Sequence, residues 1–167
     1  MTTLLTRPRS AAALTCRAPA TAPSLTAGDP ISAGMRQPVE DGPLRFHALD
    51  AFCLYDACCQ GGGYVRAHGQ FIYVVLNVAN VSNRAQTFVA DHQRLVDRSG
   101  RVYRPDITTM SLAASGRTRR FVDISPRDSA PSLIVFDVPN GTHETDYRLR
   151  LHSSTAPSMA SVSLARG

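Results

Sequence analysis

The densest apolar run in the chain, residues 71–78, predicts a strand that is buried on both faces. Nearly every residue from Phe71 to Val78 is apolar, β-branched or aromatic, which is the composition of a strand covered on both sides. Gly69 precedes the run, and the polar residues 80–83 end it as a turn. A helix is disfavoured because β-branched side chains dominate and no capping signal opens the segment. We therefore expect this segment to be the central strand of a β-sandwich.

Shorter alternating segments on both sides of this run predict further strands joined by tight turns. Residues 97–100, Asp-Arg-Ser-Gly, predict a hairpin turn, and Asn140-Gly141 is the strongest hairpin signal in the chain. Residues 105–119 are irregular and predict a long loop with a short strand near 110–112. The pattern predicts an all-β antiparallel sandwich of about seven to nine strands, with the further strands near residues 44–48, 86–90, 95–96, 101–103, 121–124, 133–138, 146–152 and 160–164.

Residues 1–42 differ from the rest of the chain because Ala, Thr, Ser and Pro dominate without a periodic apolar pattern. Such a composition predicts a disordered leader. The segment holds the parts of a secretory signal in poor form, with Arg7 and Arg9 as the basic region and a short apolar region that Arg17 ends. Two interpretations stay open, a degraded export signal and the flexible tail of a cytosolic protein. The sandwich domain is expected at residues 43–166.

The charge of the chain bears on its partners. All 18 basic residues are arginine, and the formal net charge is +5. An arginine surface can bind phosphate or carboxylate, but the densest group, Arg117-Thr-Arg119-Arg120, is too small for a nucleic-acid footprint. We therefore expect a mildly basic solvated surface, and we keep an intracellular nucleic-acid or polyanion binder as the alternative function.

Three of the four cysteines, Cys53, Cys58 and Cys59, lie close together in a segment that we interpret as a loop. Their spacing does not match the paired ligand groups of a zinc site. A local disulfide from Cys53 to Cys58 or Cys59 would suit an exported protein. Reduced thiols in a loop are the alternative, and the geometry of the pair decides between them.

No catalytic motif is present in the sequence. The five histidines are scattered, the aspartates fall mostly at turns, and the three glycines 61–63 lack the residues of a phosphate-binding loop. We expect no catalytic residue, no metal and no cofactor. Recognition is expected instead on the segments 53–69 and 105–119, because loops gather at the ends of a sandwich on a rigid frame; the candidate contact residues are Tyr55, Tyr64, Arg66, Met110, Arg117 and Arg119.

Four motifs follow one another in an order that is typical of a known family. They are Gly-Gln-Phe-x-x-Val-x-Leu-x-Val-x-Asn at residues 69–80, Ala-Gln-Thr-Phe at 85–88, Leu-Val-Asp-x-x-Gly-x-x-Tyr at 95–103 and Val-Phe-Asp-Val-Pro-x-Gly at 135–141. Over about residues 42–165 the chain resembles the immunoglobulin-like domain of actinobacterial exported proteins, of which the small secreted immunogenic antigen of mycobacteria is typical. That domain has no known function, and some members are named telomeric repeat-binding factors.

The resemblance implies an immunoglobulin-like β-sandwich, export to the cell envelope or the medium, and no established enzymatic activity. Its partner would be an unidentified protein or cell-surface ligand. In relatives a cysteine near Cys53 is often matched by one just after the Gly-Gln-Phe segment; here that position is Ile72, so a bridge would have to use Cys58 or Cys59. The expected function is that of an exported or cell-envelope, non-enzymatic interaction or antigen-like domain.

Overall fold

The protein is described by a computed structural model at residues 32–58, 64–112 and 119–165. Within these ranges the chain forms mainly β-strands, with one short α-helix and two single 3₁₀ turns, Ala90–His92 and Glu144–Asp146. The elements in chain order are β1 (Ser32–Ala33), β2 (Val39–Asp41), β3 (Leu44–Cys58), β4 (Tyr64–Asn80), β5 (Gln86–Val89), β6 (Arg94–Asp97), β7 (Val102–Tyr103), α1 (Ile107–Leu112), β8 (Phe121–Ile124), β9 (Ser129–Val138), β10 (Tyr147–Leu151) and β11 (Ala160–Ser163).

The strands form the immunoglobulin-like antiparallel β-sandwich that the sequence predicts. One sheet has the order β1-β11-β10-β6-β7 and the other the order β2-β3-β4-β9, while β5 and β8 form a separate pair. Neighbouring strands are antiparallel except for the two-residue β1, which runs parallel to β11. The two sheets enclose one continuous apolar core.

Strand β4 is the central strand of its sheet, as predicted. It pairs with β3 on one side and β9 on the other. Residues 70–74 are buried one after another, and from Val75 to Asn80 buried and half-buried positions alternate. The continuous apolar run therefore corresponds to burial on both faces only in its first half.

The core also depends on aromatic side chains from separate strands. Phe46 of β3 and Phe88 of β5 are fully buried, and their rings meet edge to face with centroids 6.0 Å apart. Burying one such side chain contributes about 1.5 to 3 kcal/mol, and the edge-to-face geometry suits the ring quadrupoles. This contact fixes the β5–β8 pair against the β2-β3-β4-β9 sheet.

The predicted start of the domain at residue 43 is too late. Strands β1 and β2 lie within the predicted leader, and Val39 is buried. The carboxylate of Asp41 accepts hydrogen bonds from the Ser153 amide at 2.7 Å and the Ser158 hydroxyl at 2.9 Å. Residues 32–42 are therefore part of the sandwich, tied to both sheets by strand pairing and by Asp41. The predicted export signal lies within residues 1–31, outside the described residues.

The prediction of a loop beginning at Cys53 is also wrong. Strand β3 continues to Cys58 and pairs residue by residue with β4, with Cys58 opposite Tyr64. Five residues of extended strand separate the Cα atoms of Cys53 and Cys58 by about 16 Å, whereas a disulfide needs about 4.4 to 6.8 Å. A bridge between these two cysteines is thus incompatible with the strand. Cys59 lies outside the described residues.

Residues 107–112 form α1 instead of the predicted strand. Asp106 precedes the helix, and its carboxylate accepts a hydrogen bond from the Thr109 amide at 2.9 Å. This is the geometry of an N-cap, and a buried Met110 holds the single turn and a half against the core. None of the helices in the described part of the chain is long and apolar enough to span a membrane.

The turn at Asn140-Gly141 does not form a hairpin. Gly141 has the positive φ of 78° that the sequence signal predicts, but β9 and β10 belong to different sheets. A 3₁₀ turn capped by His143 follows the glycine and redirects the chain across the sandwich. The hairpin at residues 97–100 is confirmed, since β6 pairs with β7 and Gly100 has a φ of 87°.

Candidate functional site

Strands β3 and β4 continue past the end of β9 as a two-stranded arm. Pairing of β4 with β9 ends at Gln70, whereas pairing of β4 with β3 continues to Tyr64. We call residues 54–58 and 64–68 the arm. A β-bulge between Leu54 and Asp56 marks its start, and bulges re-aim side chains and add twist. Ala57 and Ala67 of the arm are buried, so its exposed side chains lie at the alternate positions 64, 66 and 68 of β4 and at residues 54–56 of β3.

Three of the predicted contact residues lie together on this arm. Tyr55 and Tyr64 are 44% and 76% exposed. Arg66 lies two residues from Tyr64 on β4, also exposed, and its guanidinium Nε is 3.3 Å from the Asp56 carboxylate on β3. Because alternate residues of a strand share a face, Tyr64, Arg66 and His68 form one exposed row.

The other predicted contact residues are not part of this group. Met110 is 1% exposed and belongs to the core, so the prediction that it contacts a partner is wrong. Its burial follows from the helical turn, which the sequence reading missed. Arg119 is exposed just before β8, and Arg117 lies outside the described residues.

The residues of the sequence motifs converge where the arm joins the sandwich. Asp137 at the end of β9 accepts hydrogen bonds from the amide of His68 at 2.8 Å, from the His68 ring at 2.9 Å and from the amide of Gly69 at 3.1 Å. Burial by itself would raise the pKa of Asp137, but these three donors outweigh it and hold the pKa below its usual value. The carboxylate is therefore an anion that clamps the base of the arm.

A network of hydrogen bonds next to this clamp holds residues 139–146, the segment that follows β9. The amide of buried Gln70 donates to the carbonyl and the hydroxyl of Thr142. The Thr142 hydroxyl also accepts from Tyr147 at 2.9 Å and donates to the Pro139 carbonyl at 2.9 Å. Burial raises the pKa of Tyr147 to about 12, so this phenol keeps its proton and its donor role. The network fixes the segment that follows β9.

The thiol of Cys53 belongs to the same region. It donates to the buried Glu144 carboxylate at 3.3 Å, and the Gln70 amide lies 3.8 Å from its sulfur. The residue opposite Cys53 on β4 is Ile72, the position at which the family resemblance implies a second cysteine. The thiol of Cys53 is therefore hydrogen-bonded. A disulfide across the two strands would have to join Cys53 to a cysteine at position 72.

The site has two walls. The first is formed by the base of the arm and the residues that follow β9, and the second is formed by the hairpin β6–β7. Asp97 accepts from the amide and hydroxyl of Ser99, from the amide of Arg101 and from the hydroxyl of Tyr103. Although burial favours a higher value, these donors lower the pKa of Asp97, and burial together with the bond to Asp97 raises the pKa of Tyr103. The guanidinium of Arg101 lies over the Tyr103 ring, 5.3 Å from its centre.

Between these two walls lies a cleft of about 450 Å³. It is lined by His68, Gly69, Arg101, Tyr103 and residues 137–140. Sequence reasoning took His68 as one of several scattered histidines and Arg101 as part of a hairpin. The one signal that pointed here was the order of the motifs, since each of three motifs contributes lining residues.

The described residues contain no cluster of three or more histidine, cysteine or acidic side chains arranged to hold a metal ion. The Asp137–His68 pair has a carboxylate orienting a ring, but the His68 side chain is fully exposed. Among the described residues, the Nε2 atom of His68 has no hydrogen-bond partner.

Comparison with solved structures shows the same fold in bacterial proteins. The yjhA protein of Bacillus subtilis is 13% identical, with 80% of this chain and 99% of that chain covered and a TM-score of 0.62. The secreted protein MPT63 of Mycobacterium tuberculosis is 15% identical, with 82% and 99% covered and a TM-score of 0.59. An uncharacterized β-sandwich protein of Clostridium difficile is 11% identical, with 86% and 100% covered and a TM-score of 0.50. At these identities the likeness concerns the fold alone.

Sequence comparison gives the family. No curated protein matches the chain. Residues 34–161 match the family described as a domain of unknown function, DUF4352. The match begins between β1 and β2 and ends within β11, so it spans nearly the whole described sandwich. The protein is therefore a member of the DUF4352 family.

Proposed function

We propose that this protein is an exported domain of the cell envelope or the medium that binds a partner without catalysing a reaction. The observation that carries the proposal is the arm, where Tyr64 and Arg66 are exposed in one row on β4 and Tyr55 is exposed on β3. Tyrosine and arginine are the residue types most enriched at binding hot spots. The arm is held at its base by Asp137, so these side chains are presented on an ordered support.

The structural roles of the motif residues also support a binding function for the exposed side chains. Gly69, Gln70, Asp97 and Asp137 are engaged in holding backbone segments. Their chemistry is used to build the frame, which leaves recognition to the exposed side chains. Export is supported by the fold shared with MPT63, a secreted protein, and by the partial signal features in residues 1–31.

A nucleic-acid or polyanion binder would need a concentrated basic surface. The arginines of the described residues are spread over both sheets, and Arg45, Arg66, Arg98 and Arg120 each pair with a carboxylate. We therefore favour the protein or cell-surface partner.

Export is tested on the native culture, by probing cell, envelope and medium fractions with an antibody against residues 32–165. We expect the protein in the envelope or the medium, with a mature mass that lacks the N-terminal segment. An intact chain confined to the cytosolic fraction would contradict export.

Binding is tested by adding purified protein to envelope preparations of the same culture. The double variant Tyr55→Ser, Tyr64→Ser should lose about tenfold or more in affinity, since each aromatic hot spot contributes about 1 to 2 kcal/mol or more. The matched control is Phe121→Ser, which removes from β8 an aromatic ring whose exposure of 55% lies between those of the two tyrosines. Equal losses in both variants would show that general surface hydrophobicity, and not the arm, drives association.

A further inference from the structure

The cleft at the foot of the arm differs from the arm in its chemistry. Its volume of about 450 Å³ falls in the range of small-molecule sites, about 300 to 1,000 Å³. One wall carries the exposed apolar ring of Pro139, whereas the Val138 side chain is buried in the core. The opposite wall carries Arg101 on Tyr103. The cleft therefore offers a cation and an apolar surface to the same occupant.

The guanidinium of Arg101 rests on the ring of Tyr103, and that ring is itself held in place by two contacts. Tyr103 donates its hydroxyl to Asp97 at 3.0 Å and meets Tyr147 edge to face, with ring centroids 5.7 Å apart. A guanidinium stacked on a fixed ring keeps its in-plane N–H groups directed away from that ring. Among the described residues no carboxylate forms an ion pair with Arg101, whereas four other arginines have such a partner.

The carboxylates at the cleft are already occupied. Asp137 receives three hydrogen bonds and Asp97 four, all from the protein. A ligand that donates hydrogen bonds would find few free acceptors here, whereas one that accepts them would find the N–H groups of Arg101. Asn140 also lines the cleft, and its side-chain amide can donate to such a ligand.

The charges also limit how negative the ligand can be. Arg101 supplies one fixed positive charge, and Asp97 and Asp137 supply two negative charges that remain ionised because their pKa values are lowered. A singly charged group gains the bidentate contact with Arg101, while a doubly charged phosphate is repelled more strongly by the two carboxylates. Of these two anions, the singly charged one is therefore favoured.

We propose that this cleft binds a small carboxylate that carries an apolar substituent, with the carboxylate on Arg101 and the substituent against the exposed ring of Pro139. The terminal residue of a peptide and a free aliphatic acid share this chemistry. The site goes beyond the proposed function, since it requires neither export nor the aromatic residues of the arm.

The test uses the purified full chain, labelled with ¹⁵N and titrated with N-acetyl-leucine while the amides of Gly69 and Asn140 and the Arg101 Nε–H are followed. We expect saturable shifts at these groups with a dissociation constant on the order of 1 mM. N-acetyl-leucinamide, which lacks the charge, should bind at least about fivefold more weakly, and so should acetate, which lacks the apolar group. An acetylated dipeptide that ends in leucine separates a peptide terminus from a free acid by its relative affinity.

Variants locate the site. Arg101→Ala should weaken N-acetyl-leucine at least about fivefold, and Arg101→Lys should fall in between because it keeps the charge but loses the fork. Arg119→Ala removes another exposed arginine and should leave the affinity unchanged. The proposal is overturned if the amide binds as well as the acid, if inorganic phosphate binds more tightly, or if Arg119→Ala has the same effect as Arg101→Ala. Thermal melts of each variant verify that it is folded.

Discussion

Gly69 of β4 lies so close to the Val138 carbonyl oxygen that a Cβ atom on Gly69 would be 2.1 Å from it. The same Cβ would lie 3.0 Å from the amide nitrogen of Asn140 and from the Cα of Pro139. All three neighbours are backbone atoms, which cannot rotate away. The close approach allows Asp137 to reach the Gly69 amide, so the glycine and the aspartate act as one structural unit.

Gly69→Ala should therefore destabilise the protein by roughly 2 to 3 kcal/mol, the cost of forcing an extra group into a packed site. Urea unfolding followed by circular dichroism measures the change. Gly34→Ala is the matched control, because its Cβ would meet only the Gln37 side chain at 3.9 Å, and it should stay within about 0.5 kcal/mol of the wild type. If the two variants unfold at the same urea concentration, the close approach does not constrain the fold.

Asp137→Asn tests the clamp and its dependence on pH. The pKa of Asp137 is lowered in the folded protein, so the carboxylate stabilises the fold above its unfolded pKa of about 3.9. That contribution is lost as the pH falls through the lower, folded-state pKa. The variant should lose about 1 to 3 kcal/mol at pH 7, since its amide cannot accept the same three bonds. Its unfolding free energy should also depend less on pH between about 5 and 2.

The control for this substitution is Asp56→Asn on the arm. Asp56 pairs with Arg66 where both side chains are exposed, and exposed pairs contribute about 0 to 1 kcal/mol. Urea unfolding at several pH values separates the two variants. If the unfolding free energy falls with decreasing pH in the same way in the wild type and in Asp137→Asn, the clamp does not depend on the charge of the carboxylate.

Local patterns in the sequence were sufficient where a residue's role is set by its neighbours in the chain. The β4 run, the hairpin at Asp97 and the turn at Asn80 were predicted in this way. In the structure the Asn80 side-chain amide donates to the carbonyls of Arg84, Ile124 and Ser125. Two of these carbonyls are distant in sequence, so only the local part of that role was visible.

The rest depended on contacts between distant segments. Nothing local to Asn140-Gly141 reveals that β10 joins the other sheet, because sheet membership is decided by packing. The cleft combines residues near positions 68, 101 and 137, and no periodicity relates these positions. The strand beyond Cys53 was hidden because it contains aspartate and alanine, which are depleted in strands, yet pairing with β4 extends it.

Ile72→Cys should create a disulfide with Cys53. The two residues are direct partners on neighbouring antiparallel strands, where Cβ atoms lie about 4.5 to 5.5 Å apart, close to what a disulfide needs. The closed loop of roughly 20 residues should stabilise the oxidised variant over its reduced form by about 3 kcal/mol. Mass spectrometry after thiol alkylation detects the bond, and melting with and without reductant measures its effect.

The control for that bridge is Ile72→Ser, which removes the same buried side chain without supplying a thiol. It should be less stable than the wild type. Reductant should not change its melting temperature, because serine at position 72 cannot form a disulfide with Cys53. Quantitative alkylation of Cys53 in the oxidised Ile72→Cys variant would contradict the observed register of β3 and β4.

Met110→Ala distinguishes a core role from a contact role for α1. Met110 is 1% exposed and belongs to the apolar core, whereas Leu112 on the same helix is 42% exposed. Removing the buried side chain leaves a cavity, so Met110→Ala should cost about 2 to 5 kcal/mol. Leu112→Ala should cost much less, because alanine is a good helix former and little apolar area is lost. Urea unfolding of the two variants gives both values. A similar, small loss in both would mean that α1 is not held through Met110, and the residue would again be a candidate for contact with a partner.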